Sequence, residues 1–410
     1  MNCRVIASLF TATLLLAPAA RADVVQDWNT IMLNTIATQS PFAQARFAAI
    51  TQLAVFEAVN ACTGEYQPYL GSVTAPSGAS AEAAAAAAAH KILTNYFGAS
   101  VTLDNALTTS LAAIPDGPSK TDGIAVGVAA ANAMIAARAN DGSTPLQTFI
   151  PTSTDPGSWQ RTPPAFGPGL FYNWRNVTPF GIETSDQFRL GPPPALTSER
   201  YQRDYNEVKT VGELNSAARP QDRSDVAKFY AAASPAQVWN SVAQQVSVET
   251  FMSLSSKARA FALVNMAMSD ALVAIFDTKY FYVFWRPVTA IRAGDLDGNP
   301  KTDADPTWTP FITTPSFPSY ASAHASGSGA AAKVLALLFG PAGHAITLTY
   351  PTVPGVILQY TQFREITGDI DDARVYGGIH FRFDQEEGGK LGRQVGRYVV
   401  KHHLRRADRD

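Results

Sequence analysis

Lys279 and Arg286 stand seven residues apart in the segment KYFYVFWRP (279–287). At about 100° per residue, seven steps return close to the starting face of a helix, so both cations are expected on one side of it. Pro287 bends or ends that helix just after Arg286. The neighbours are aromatic, which predicts a buried face, and two buried cations repel each other unless an anion lies between them. Pairing of each cation with a local carboxylate, Asp277 or Asp295, meets the same need, and this segment alone leaves both arrangements open.

Two later segments carry the same kind of chemistry. In FPSYASAHASGSGAAAKVL (317–335), Ser322 and His324 precede a helix expected to begin near Ala325. Free backbone N–H groups at a helix start favour an anion, and the small residues are expected to let it come close. The Ser322 hydroxyl adds a donor, although a serine here also serves simply as a helix cap. His324 gives or takes a proton near neutral pH. In ARVYGGIHFRFD (373–384), a glycine pair lets the backbone turn between Arg374 and His380. Asp384 follows His380 by four residues. A carboxylate there holds one ring nitrogen and leaves the other as a nucleophile or ligand, unless the two form a buried pair without chemistry. Taken together, three fixed cations and two histidines suit a tetrahedral oxyanion such as phosphate or vanadate. They do not suit a divalent cation, which requires carboxylates or several neutral ligands. The loop DLDGNPKTDAD (295–305) has alternating Asp residues but lacks the closing glutamate of a calcium-binding EF-hand loop, and is read as a solvated loop with weak calcium potential.

The three segments together resemble the vanadium-dependent haloperoxidase and type 2 phosphatidic acid phosphatase superfamily, whose pattern is K-x6-RP, then PSGH, then SR-x5-H-x3-D. Here these motifs read Lys279 with Arg286-Pro287, then ASAH (321–324), then Arg374 with His380 and Asp384, each with its internal spacing kept. Ala321, Ala323 and Ala373 stand where the pattern has Pro, Gly and Ser; Ala323 retains its backbone N–H. The stretches SERYQRDYNEVKTVG (198–212) and WRNVTPF (174–180) resemble the soluble, exported bacterial haloperoxidase-like branch. The resemblance implies that Lys279, Arg286 and Arg374 neutralise the oxyanion. It also implies that Ser322 and the amides of Ala323 and Gly378 hydrogen-bond it, and that His380 is the ligand to vanadium or the nucleophile to phosphorus. His324 would then be the acid–base, and Asp384 would orient His380.

Two activities follow from that resemblance. One is oxidation of a halide by hydrogen peroxide at a His-ligated vanadate cofactor. The alternative is a soluble acid phosphatase that acts on a phosphomonoester through a phospho-histidine and needs no cofactor. A third reading, a non-catalytic oxyanion-binding relic, sits poorly with retention of all three cations and both histidines. Phe276 and Phe317 are expected either to form an apolar halide pocket or to pack in the core; Trp159 and Trp174, either to wall the site or to pack likewise.

Helices must position these groups. Apolar residues recur at helical spacing in 26–39, 41–61, 80–97, 101–114 and 119–141, and again in 197–215, 224–233, 234–247 and 257–292. Period-two alternation is nearly absent. Residues 142–194 are crowded with Pro, Gly, Thr and aromatics, a long connection expected to be a functional wall or a crossover. The expected fold class is all-α: helical bundles of the haloperoxidase and phosphatidic acid phosphatase type joined by a Pro/Gly-rich crossover loop. The expected divisions are a leader (1–22), an N-terminal helical region (23–141), the loop (142–194) and a C-terminal catalytic region (195–410).

With 46% hydrophobic and 16% charged residues among 410, the chain has ample material for a core. A net charge of -2 and the absence of a binding motif argue against a nucleic-acid partner. The start MNCRVIASLFTATLLLAPAARA reads as an export signal, which would carry Cys3 away, leave Cys62 as the sole thiol and place the protein in the periplasm or outside the cell. The apolar stretch 271–285 contains Asp277 and Lys279 and reads as a buried helix, not a membrane span.

Overall fold

Serine, aspartate and proline stand at the head of one helical segment after another, and these caps set where the helices begin. The computed structural model describes residues 23–250 and 252–407, among which there are thirteen α-helices and one two-stranded hairpin. The expected leader, residues 1–22, lies outside the described residues. The first bundle contains α1 (Val24–Ile36), α2 (Pro41–Thr63), α3 (Ala81–Phe97), α4 (Val101–Ala112) and α5 (Pro118–Arg138). The side chains of Asp23, Ser40, Ser80 and Ser100 each accept a backbone N–H at the start of the first four of these. After the crossover come α6 (Glu199–Val211), α7 (Gln221–Ala232), α8 (Pro235–Glu249), α9 (Leu254–Tyr282), α10 (Pro287–Arg292), α11 (Ala323–Phe339), α12 (Phe363–Val375) and α13 (Arg382–His402).

Helix α9 is the axis of the molecule. It is buried from Ala258 almost to its end and packs against α2, α11 and α13. Its most apolar stretch, of mean hydropathy 1.5, has the length and composition of a membrane span, yet it is wholly enclosed by protein.

The expected helix over 257–292 is in fact two. Helix α9 stops at Tyr282, Val283 turns left-handed at φ +50°, and Arg286 is the N-cap of α10 with φ −88° and ψ 155°. The ring of Pro287 pushes its predecessor out of the α region, so Arg286 leaves the helix that carries Lys279. The two cations therefore do not share a helix face; they are brought together by what they both bind.

The small residues after His324 also have a different purpose from the one expected. A Cβ on Gly392 would lie 2.0 Å from the carbonyl oxygen of Ser326, and one on Gly388 would lie 2.5 Å from that of Ser322. The small face of α11 and the glycines of α13 thus let two helices meet backbone to backbone.

The hairpin, β1 (Ala342–Leu348) with β2 (Leu358–Gln362), is antiparallel and was not expected. Its inward residues on β1 are His344, Ile346 and Leu348, an alternation too short to stand out from its surroundings.

The crossover holds only one 3-10 turn, Tyr172–Asn176, and is tied down along its length. The buried Asp270 carboxylate of α9 accepts the N–H groups of Phe180 (2.6 Å), Gly181 (2.6 Å) and Ile182 (2.9 Å). Arg189 binds Asp277, and Tyr282 donates its hydroxyl to Leu190 O at 2.9 Å. These tethers make the loop a fixed wall of the site.

Candidate active site

Lys279, in the last turn of α9, is fully buried and donates from Nζ to the carbonyls of Pro318 (2.9 Å) and Ser319 (2.7 Å). Arg286 donates from Nε to Phe317 O at 2.8 Å and from Nη1 to Ile379 O at 2.8 Å. The strap 317–319 therefore bridges the two cations, and the ring of Phe317 lies 5.2 Å from Lys279 Nζ and 5.0 Å from Arg286 Cζ. The local ion pairs that the segment left open do not form. Asp277 is engaged by Arg189 and Arg175, and among the described residues no carboxylate oxygen lies within 4.0 Å of the charged nitrogens of Lys279, Arg286 or Arg374.

Arg374, in the last turn of α12, reaches Tyr230 O from Nη1 at 3.1 Å. Its Nε, like Nη2 of Arg286, is buried without an acceptor. His380 lies in the turn between α12 and α13, with Nε2 3.1 Å from Arg286 Nη1 and Nδ1 2.8 Å from Asp384 Oδ2. A carboxylate only accepts, so Nδ1 carries the hydrogen and the Nε2 lone pair faces Arg286. Asp384 sits in the first turn of α13 and also accepts the N–H of Phe381 at 3.2 Å.

His324 lies in the first turn of α11, half-buried, and its ring makes no hydrogen bond among the described residues. Burial, with Arg374, Lys279 and Arg286 close by, drives it well below the usual histidine range; burial and the same cations do so for His380. Both rings are therefore neutral near pH 7. Burial, joined by the neighbouring cations, also lowers Lys279 well below the lysine range and brings Arg286 to about 9; burial alone brings Arg374 to about 10. The Asp384 carboxyl is raised to about 6 by burial, against the opposing pull of Ser319, Lys279 and Arg286.

One expected contact is revised, and Ser322 takes the cap role while its O–H remains free to donate. The N–H of Gly378 donates to Val375 O at 2.9 Å, so it is committed to the turn and not offered to an oxyanion. The glycine is needed there because its φ is +78° and a Cβ would lie 2.3 Å from Gly212 O. Ser322 is the N-cap of α11, its Oγ accepting Ala325 N–H at 3.3 Å. Ala323, the first residue of α11, has no acceptor for its N–H within the helix.

Of these groups, Ala323, His324, Arg374 and His380 form the floor of a cavity of about 630 Å³, with Leu170 and Phe171 of the crossover among its walls, while Lys279 and Arg286 are fully buried and do not line it. Phe317 lines it, whereas Phe276, Trp159 and Trp174 are buried and do not. The loop 295–305 closes on itself, Asp297 accepting from Thr302 and Asn299, and no cluster able to hold a metal cation occurs among the described residues.

Ser319 is the member that spacing did not reveal. Its hydroxyl donates to Asp384 Oδ2 at 2.6 Å while its carbonyl accepts from Lys279. A serine within Pro-Ser-Tyr carries no periodic signal; only burial beside a carboxylate 65 positions away marks it.

A site built of donors, with two orphaned guanidinium nitrogens and three cations lacking counter-ions, fits a bound oxyanion such as vanadate or phosphate. Residues 259–409 match the family model described as the VCPO second helical-bundle domain. The vanadium chloroperoxidase of Curvularia inaequalis is 27% identical over 180 residues, a match covering 36% of this chain and only 29% of that protein. The crystal structure of a bacterial vanadium-dependent iodoperoxidase superposes with a TM-score of 0.78 at 26% identity, over 95% of this chain and 97% of that one. A holo-type bacterial vanadium-dependent chloroperoxidase shares the fold, with a TM-score of 0.71 at 17% identity over 90% and 94% of the two chains. Likeness of sequence over residues 259–409, which contain all three motifs, and likeness of fold over nearly the whole chain both support placing the chain with the vanadium haloperoxidases and type 2 phosphatidic acid phosphatase-like proteins.

Proposed function

We propose that this protein is a vanadate-dependent haloperoxidase that oxidises a halide with hydrogen peroxide (X⁻ + H₂O₂ + H⁺ → HOX + H₂O). The observation that carries the reading is the set of three buried cations without a carboxylate partner, two of them bearing unspent N–H donors. His380 Nε2 and the N–H groups of Arg286, Arg374 and Ala323 would hold vanadate, which when bound supplies Lewis-acid activation of the peroxide toward the halide.

The chain's own residues do the rest. Asp384 and Ser319 keep the hydrogen of His380 on Nδ1, so that Nε2 stays available. Lys279 is aimed by the two carbonyls it binds, and its third N–H has no acceptor among the described residues. His324, neutral and without a hydrogen bond among the described residues, would be the group that takes up and returns a proton beside the bound oxyanion.

Phosphate fits the same donors, so the test has two arms. The protein is loaded with orthovanadate and assayed for iodide and bromide oxidation by peroxide, and separately for hydrolysis of an aryl phosphate. Halide oxidation that requires vanadate and falls at least about 10³-fold in His380→Ala is expected. Aryl phosphate hydrolysis lost in His380→Ala, with no halide oxidation by the loaded wild type, sinks the proposal.

A further inference from the structure

Above the cationic floor, the cavity is a different environment. Its volume of about 630 Å³ far exceeds what a tetrahedral oxyanion and a halide fill, and falls in the range of sites that enclose small organic molecules. The upper walls are apolar, with Leu170, Phe171, Leu272, Phe311 and Ile312 among them, and no acidic residue lines the cavity.

One ammonium group stands at its edge. Lys228 of α7 is exposed and lies 5.8 Å from the ring centroid of Phe311. It is three residues before Ala231, which lines the cavity, so the two share a face of the helix. Arg219 also stacks on Phe311, at 3.7 Å, but its guanidinium is spent on the carbonyls of Val211, Glu213 and Leu214. Lys228 has no hydrogen bond or ion pair among the described residues, so its charge is available to a ligand.

We propose that the apolar half of the cavity binds the organic halogen acceptor itself, a flat aromatic carboxylate of about two rings. The ring lies against Phe311, Leu170 and Phe171, and the carboxylate meets Lys228 at the rim. With the oxyanion offsetting the floor's charge, Lys228 is the cation beside Phe311 whose N–H donors are unspent among the described residues, which orients the acceptor with its far edge toward His324. The binding stands by itself; the reaction rests on the haloperoxidase reading and balances as X⁻ + H₂O₂ + Ar–H + H⁺ → Ar–X + 2 H₂O. The C–H bond of the ring breaks, the C–X bond forms, peroxide is reduced to water, and the ring proton leaves to solvent.

The test uses 6-hydroxy-2-naphthoate, titrated by fluorescence into the vanadate-loaded protein. Saturable binding is expected, weakened about tenfold in Lys228→Glu, because an attractive pair becomes a repulsive one. Binding of neutral 2-naphthol changes by less than about twofold in the same variant, which shows the cavity intact. The ratio of brominated naphthoate products is expected to differ from that given by hypobromite alone. Binding that does not saturate, equal affinity in wild type and Lys228→Glu, or a product ratio identical to that of hypobromite overturns the proposal. If the naphthoate binds as expected and the loaded protein oxidises no halide, the haloperoxidase reading falls and the binding site stands.

Discussion

Ser319 and His380 donate to the same oxygen of Asp384. That oxygen must be ionised to fix the His380 tautomer, and its carboxyl lies at about 6, raised by burial and restrained by the serine's hydrogen bond. Activity therefore falls as pH drops through that value, where Asp384 gains a proton. Removing the hydroxyl in Ser319→Ala removes a lowering influence, so the acid limb of the kcat/KM profile moves to higher pH. A loss of about tenfold at pH 7 accompanies it, the worth of one hydrogen bond to a charged group. An unchanged acid limb contradicts a positioning role for Ser319. The residue types of the three motifs were legible in the sequence because each chemical group is a local fact. Ser319 and the spent amide of Gly378 were not, because their roles are set by partners outside their own motifs or by the exact path of a turn.

At the scale of elements, the crossover matters as much as the helices. Three consecutive N–H groups converge on Asp270, so this carboxylate holds the segment behind Leu170 and Phe171 against α9. Asp270→Ala leaves those donors buried and unpaired, and is expected to destabilise the fold by about 3 kcal/mol or more in urea unfolding. An effect below about 1 kcal/mol shows that water replaces the carboxylate there. Most helices were readable from apolar periodicity and caps to within a few residues. The break between α9 and α10 comes earlier than expected: Pro287 was expected to bend or end the helix just after Arg286, whereas the chain leaves the helix at Val283.

For the molecule as a whole, the site is a store of uncompensated positive charge in the interior. An oxyanion that binds only the folded chain offsets it, adding about 2.7 kcal/mol at a hundredfold excess over its Kd. Phosphate or vanadate is thus expected to raise the melting midpoint, and the increase is expected to be lost in Arg374→Ala. The sign of the coupled proton movement follows from the shifts. Burial and mutual repulsion depress Lys279 and bring Arg286 to about 9, and an anion restores them upward. Binding near pH 9 therefore takes up protons, seen by calorimetry as a heat that varies with the ionisation enthalpy of the buffer. Release of protons, or none, contradicts three cations around one anion.

Spacing within KYFYVFWRP, ASAH and ARVYGGIHFRFD was enough to point to an oxyanion chemistry, and apolar periodicity was enough to name a helical fold. Both are properties of contiguous residues. Convergence of the segments belongs to the folded chain: Lys279 reaches Pro318 and Ser319 about 40 positions away, and Arg286 reaches Ile379 and His380 more than 90 away. The same holds for the apolar cavity and for Lys228 at its rim, since their walls come from the crossover, α7 and the loop before α11. Long-range packing brings such groups together, and no local pattern records which of them will meet.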